Sequence, residues 1–228
     1  MLAQRMSLLS GSGTAAAREA AKVAAATGRQ IIDLAAGEVI IAPPKTVRDG
    51  AIAAINAGIN RYTDSIGMAS LREAVATKLT ASTHVHWAAE NIVITNGAKQ
   101  ALLDAALAIL DPGDEVIIFR PCWPTFPSQV LLAGAKPVFV DVKPPSFVPT
   151  IASIRAVVTS RTKAIILNSP NNPTGAVYDL ATLQAIGDLA INYELWIISD
   201  ECYSNFVFNG QGHESIVTSD PGFRARTI

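Results

Sequence analysis

Four short segments set polar, aromatic and glycine residues directly behind apolar runs, and together they could hold one flat, charged ligand. Thr95-Asn96-Gly97-Ala98-Lys99 follows Ile92-Val93-Ile94 and opens a stretch with helical apolar spacing. Gly97, Ala98 and Lys99 would therefore lie at a helix N-terminus, where free N–H groups and the helix dipole attract an anion. Trp123 sits between Pro121 and Pro124, behind the apolar run that ends at Phe119, and a rigid indole there could stack on a planar ring. Asn168-Ser169-Pro170-Asn171-Asn172-Pro173-Thr174-Gly175 follows Ala164-Ile165-Ile166-Leu167 and brings two further amides, Asn171 and Asn172. Asp200 follows Trp196-Ile197-Ile198-Ser199, with Tyr203 three residues on. A carboxylate emerging from a buried strand needs a cationic or hydrogen-bonding partner.

Each segment also has a purely structural reading. Asn, Pro and Gly form turns, a glycine before a helix is an ordinary strand-to-helix joint, a tryptophan fills a core, and an aspartate caps a helix or makes a surface ion pair. The combination is more specific than its members. An anion cradle, an aromatic plate, a lone carboxylate and two neutral donors (Asn172 and Tyr203) match a phosphorylated aromatic heterocycle with a basic ring nitrogen and a phenolic oxygen. Pyridoxal 5′-phosphate is such a molecule.

The elements that must position these residues alternate along the chain. An alanine-rich helix over residues 14–27 is closed by Gly28, and a short strand is expected at Ile31-Ile32-Asp33-Leu34, running into Ala35-Ala36-Gly37-Glu38. Apolar spacing of three and four predicts helices over 45–57 and 69–80. Strands are predicted at 92–94, 115–119, 137–140, 164–167 and 195–199, with helices at 98–110, 125–133, 151–158 and 179–192. Continuous apolar strands separated by amphipathic helices describe an α/β fold, a mostly parallel central sheet covered on both faces. In such sheets ligands collect beyond the carboxyl ends of the strands. The Gly11-Ser12-Gly13 stretch follows no strand and so is no dinucleotide loop.

Composition narrows the classes further. Half of the 228 residues are hydrophobic, enough to bury a substantial core, and 18 basic against 19 acidic residues leave a net charge of −1. The charges form no block that would bind nucleic acid, and no apolar run is long and uninterrupted enough for a membrane span. Cys122 and Cys202 form no CxxC pair, so neither a disulfide framework nor a zinc site is expected, and a reducing cytoplasm fits best.

The sequence resembles the class I/II, fold-type I aminotransferases, the aspartate aminotransferase-like branch. The resemblance is carried by AAGE at 35–38, RYTDSIGMASLREAVA at 61–76, ITNGAKQALLDA at 94–105, ILDPGDEVIIFRPCWPTF at 109–126, TKAIILNSPNNPTGAVY at 162–178 and SDECY at 199–203. It implies a pyridoxal-phosphate enzyme transferring an amino group between an amino acid and a 2-oxo acid. Asp200 would pair with the pyridine nitrogen, Asn172 and Tyr203 would donate to the phenolic oxygen, Trp123 would stack on the ring, and the backbone at Gly97, Ala98 and Lys99 would hold the phosphate. Asp200 and Tyr203 would thus be the catalytic residues, with Gly37 and Asn172 on the substrate side. Tyr62 is similar to the tyrosine that reaches the phosphate of the neighbouring subunit, which implies a homodimer. Residues 1–44 would be an arm and helix belonging in part to a small domain, and 45–228 an incomplete cofactor-binding large domain.

The resemblance also implies a Schiff-base lysine in a serine-rich setting after the strand that follows Tyr203. None of Lys45, Lys78, Lys99, Lys136, Lys143 and Lys163 has that context. A truncated or partial chain, crippled in catalysis by itself, is therefore expected. Val39-Ile40 and Cys122 also depart from the family pattern, at positions that bear on specificity. Two alternatives stay open at the level of sequence: another fold-type I reaction, such as a C–S β-lyase or a cyclopropane-forming synthase, and a non-catalytic protein that binds the cofactor or a partner.

Overall fold

The computed structural model describes residues 2–9, 11, 13–32, 37, 41–208, 210 and 212–228. They fall into two compact units, Ser10–Ser65 on one side and Met1–Leu9 with Ile66–Ile228 on the other. The first holds α1 (Gly13–Ala26) and α2 (Lys45–Asn56). Alanine, the strongest helix former, supplies most of α1. Ile31 and Ile32 lie in irregular backbone, and the rest of the strand expected there, with most of AAGE, lies outside the described residues.

From Ile66 onward the larger unit runs through α3 (Ala69–Thr83) and α4 (Ala98–Ile109), and then alternates strictly. The order is β1 (Glu115–Arg120), α5 (Thr125–Leu132), β2 (Lys136–Asp141), α6 (Ile151–Arg155), β3 (Thr162–Asn168), α7 (Leu180–Asn192), β4 (Trp196–Asp200) and α8 (Ile216–Ser219). The strands form one parallel sheet in the order β2-β1-β3-β4. Successive side chains on a strand face opposite ways, so each strand feeds two cores. Val116, Ile118, Ala164, Ile166 and Ile198 pack under α4 and α5 through Leu102, Ala106, Phe126 and Val130. Ile117, Phe119, Ile165, Leu167 and Ile197 pack on the other face, against Ile154 of α6, Leu183 and Ile186 of α7, and Ile216 of α8. Burial on both faces explains why β1 and β3 read as unbroken apolar runs.

The predicted strand at 92–94 is absent from this sheet. Among the described residues no strand lies beside it to complete a ladder: the Ile94 N–H donates instead to the Ile66 carbonyl at 3.0 Å, and Val93 is exposed. Beyond β4 the chain returns, and Thr227 forms a parallel bridge with Ile197.

Connections from β1 run through α5 to β2 on one side of the sheet order, whereas β3 leads through α7 to β4 on the other. The strand order thus reverses between β1 and β3, and the carboxyl ends of the strands at such a reversal are the place where open α/β sheets bind ligands.

Candidate active site

The loops that leave β1, β3 and β4 and the mouth of α4 carry the residues singled out above. Gly97 is the N-cap of α4, with φ 81° and ψ 165°, a backbone state that essentially only glycine adopts without strain. Its own N–H is turned inward to the Thr95 carbonyl at 2.8 Å. Among the described residues the N–H groups of Ala98 and Lys99 find no acceptor, so the first turn of α4 presents two open donors at the positive end of its dipole. A Cβ placed on Gly97 would meet nothing within 4 Å, so the mouth is open space.

Trp123 stands at the start of α5, half-buried, with its ring edge-on to Phe126 at 5.4 Å between centroids. The Lys99 ammonium lies 5.3 Å from the centre of the indole. Sequence reasoning assigned Lys99 a backbone role; the side chain adds a cation to the plate. A contact that sequence reasoning missed ties the two together from below: buried Gln129, on α5, donates through Nε2 to the Lys99 carbonyl at 2.6 Å.

Asp200 ends β4 and is 8% exposed. Its Oδ1 accepts from the Cys202 N–H at 3.1 Å, a local turn that aims the carboxylate. Partial burial, and then the adjoining Asp200 carboxylate, push the exposed Cys202 thiol up to about 12, which favours its protonated form at neutral pH. Asn168, buried at the end of β3, was also missed. Its Nδ2 donates to the carbonyls of Asp200 (3.0 Å) and Pro170 (3.2 Å), and its Oδ1 accepts from the Asn172 N–H (2.8 Å). A buried amide ending an apolar strand was the available signal. Through it the Asn172 side chain comes within 3.3 Å of the Tyr203 hydroxyl, Nδ2 donating to Oη. Asn171 turns away into its own loop, where its Oδ1 accepts from the Thr174 hydroxyl at 2.8 Å.

The structure therefore brings Lys99, at the mouth of α4, to Trp123 and Gln129, and links Asn172, with Tyr203, to Asp200 through Asn168. Tyr62 and Gly37 belong to the smaller unit, where both are exposed.

The model of the family described as aminotransferase class I and II matches residues 29–226. The chain belongs to this family. Class I and II aminotransferases are pyridoxal-phosphate enzymes, and the chain is 38% identical, over all of its length, to an aspartate aminotransferase of Geobacillus stearothermophilus. It is 40% identical over 91% of its length to a probable aspartate/prephenate aminotransferase of Aquifex aeolicus. Among solved aminotransferases, the aspartate aminotransferase of Thermus thermophilus with maleate superimposes with a TM-score of 0.93 at 36% identity, covering all of this chain. The chain spans 58% of the Geobacillus relative, 53% of the Aquifex one and 59% of the Thermus structure.

The donor set fits the aminotransferase cofactor on its chemistry. Open amides suit a phosphate, a buried carboxylate suits a protonated ring nitrogen, a paired amide and phenol suit an oxyanion, and the indole suits a ring face.

Proposed function

We propose that these residues are the cofactor-binding part of a pyridoxal 5′-phosphate-dependent aminotransferase that transfers an amino group from an L-amino acid to a 2-oxo acid. The observation that carries this reading is the buried Asp200 at the end of β4, tied through Asn168 to the Asn172–Tyr203 pair. The names of the relatives support aspartate as the donor.

When bound, the cofactor supplies a ring that accepts electrons released at the substrate's α-carbon. Asp200 accepts a hydrogen bond from the ring nitrogen and keeps that nitrogen protonated. Asn172 Nδ2 and Tyr203 Oη donate to the phenolic oxygen and disperse its charge. Trp123 covers one ring face and shields it from water, and the amides of Ala98 and Lys99 bind the phosphate at the glycine-capped helix mouth. Asn172 also faces the substrate carboxylate. Tyr62 serves the phosphate of a second subunit in a cytoplasmic homodimer, and residues 1–44 contribute to the small domain. The lysine that moves the proton at the α-carbon belongs, in this reading, to the length of the relatives that the chain does not span.

Equilibrium dialysis against pyridoxal 5′-phosphate and pyridoxal tests the assignment. The phosphorylated form should bind more tightly, and Asp200→Ala should weaken its binding by about tenfold, the scale of a charge-assisted hydrogen bond. Equal affinity for both compounds, or an Asp200→Ala chain that binds like the parent, would refute it.

A further inference from the structure

One buried polar cluster adjoins the site without entering the chemistry above. Ser199 and Glu201 flank Asp200, and alternation along the strand turns their side chains to the face opposite it. Ser199 Oγ donates to Glu201 Oε1 at 2.9 Å, and Ser215 Oγ donates to the same oxygen at 2.8 Å. His213 Nε2 lies 3.2 Å from Glu201 Oε2. A carboxylate only accepts, so Nε2 is the protonated nitrogen there. The His213 side chain is 12% exposed and that of Glu201 28%, and His213 Nδ1 is buried with no hydrogen-bond partner among the described residues.

Withdrawing a carboxylate and an imidazole from water costs free energy that a solvated loop would avoid. What the cluster achieves is geometric. The segment that carries Tyr203 leaves β4 at Glu201 and returns at His213 and Ser215, and one carboxylate closes it at both ends. On the other face of the same three residues, Asp200 is held through its carbonyl by Asn168 and through Oδ1 by the Cys202 N–H.

We infer that Glu201 and His213 are a pair of positioning residues that fix the direction in which Asp200 faces the ring nitrogen and Tyr203 faces the phenolic oxygen. The inference rests on the cofactor reading above. It concerns alignment, so its signature is selectivity for the ring nitrogen rather than overall affinity or stability.

The test compares binding of pyridoxal 5′-phosphate with that of its 1-deaza analogue, which has a C–H in place of the ring nitrogen, by equilibrium dialysis. The parent chain should prefer the nitrogen-bearing compound by about tenfold, as a charge-assisted hydrogen bond requires. Glu201→Gln leaves one acceptor oxygen where the carboxylate uses two, so it cannot accept from His213 and from both serine hydroxyls in the observed arrangement, and His213→Phe keeps the ring shape without a donor. In both, the preference should fall to about threefold or less, with affinity for the deaza analogue within about twofold of the parent. If Glu201→Gln does not fold, His213→Phe decides alone. Retention of the full preference overturns the inference, as does an equal loss of affinity for both compounds, which marks a merely structural cluster. A parent chain with no preference removes the Asp200 assignment itself, a different failure that is visible before any variant is made.

Discussion

The side-chain amide of Asn168 donates to the backbone carbonyl of Asp200 at 3.0 Å, joining the last residue of β3 to the last residue of β4. The same amide group accepts from the Asn172 N–H at 2.8 Å, so one buried side chain sets the heights of a carboxylate and a neighbouring amide. Asn168→Leu keeps the approximate volume and deletes all three bonds, taking this partner from the carbonyls of Pro170 and Asp200 and from the Asn172 N–H. It should lower stability by about 3 kcal/mol, read as a fall in the urea midpoint at unchanged slope.

Glu115 gives stability a defined acid limb. The Thr159 hydroxyl and the Arg161 guanidinium, with Lys136 further off, hold this buried carboxyl down at about 2 against an ordinary 4.5. Because the folded state binds its proton less readily than the unfolded chain, the contribution is complete above about 4.5 and is lost as pH falls through that value towards about 2. Urea midpoints measured down this range should fall more steeply for the parent than for Glu115→Gln. Parallel curves would remove the claim.

Gly187 lies inside α7, where alanine would ordinarily add up to about 1 kcal/mol. Here a Cβ would fall 2.1 Å from the ring of buried Phe223, so the helix and the segment that follows α8 are in contact only because the methyl is missing. Gly187→Ala should therefore destabilise the chain by about 2 kcal/mol. Thermal melting shows the sign directly, and the double variant Gly187→Ala, Phe223→Leu should recover part of the loss.

The two thiols should be slow to alkylate. Burial pushes Cys122 up, and burial with the Asp200 carboxylate pushes Cys202 up to about 12. At pH 7.5, iodoacetamide should modify both at least about tenfold more slowly in the folded chain than in urea. Asp200→Asn should speed reaction at Cys202 and leave Cys122 unchanged, and peptide mapping distinguishes the two.

The sheet was legible where burial on both faces forces continuous apolar runs, as at Val116–Phe119 and Ala164–Leu167. The run at 92–94 has the same composition, yet its pairing depends on neighbours that local pattern cannot report. Asp200, Asn172 and Tyr203 stood out because polar residues directly after buried strands need a reason to be there. Gln129, Glu201 and His213 did not. Glutamine within an apolar helix face and glutamate beside an aspartate read as surface residues, until the fold brings Lys99 to the first and Ser199 and Ser215 to the second. Lys99 shows a further limit, since periodicity places its backbone at a helix mouth but leaves its long side chain undetermined.

The bond from Gln129 to the Lys99 carbonyl makes α5 carry more than its indole. Any displacement of that helix drags the first turn of α4 along with Trp123, so the walls that would grip the phosphate and the ring shift as a single jaw. Adaptation to a new substrate would then have to come from the opposite loops, because loosening this side for one contact slackens the other as well.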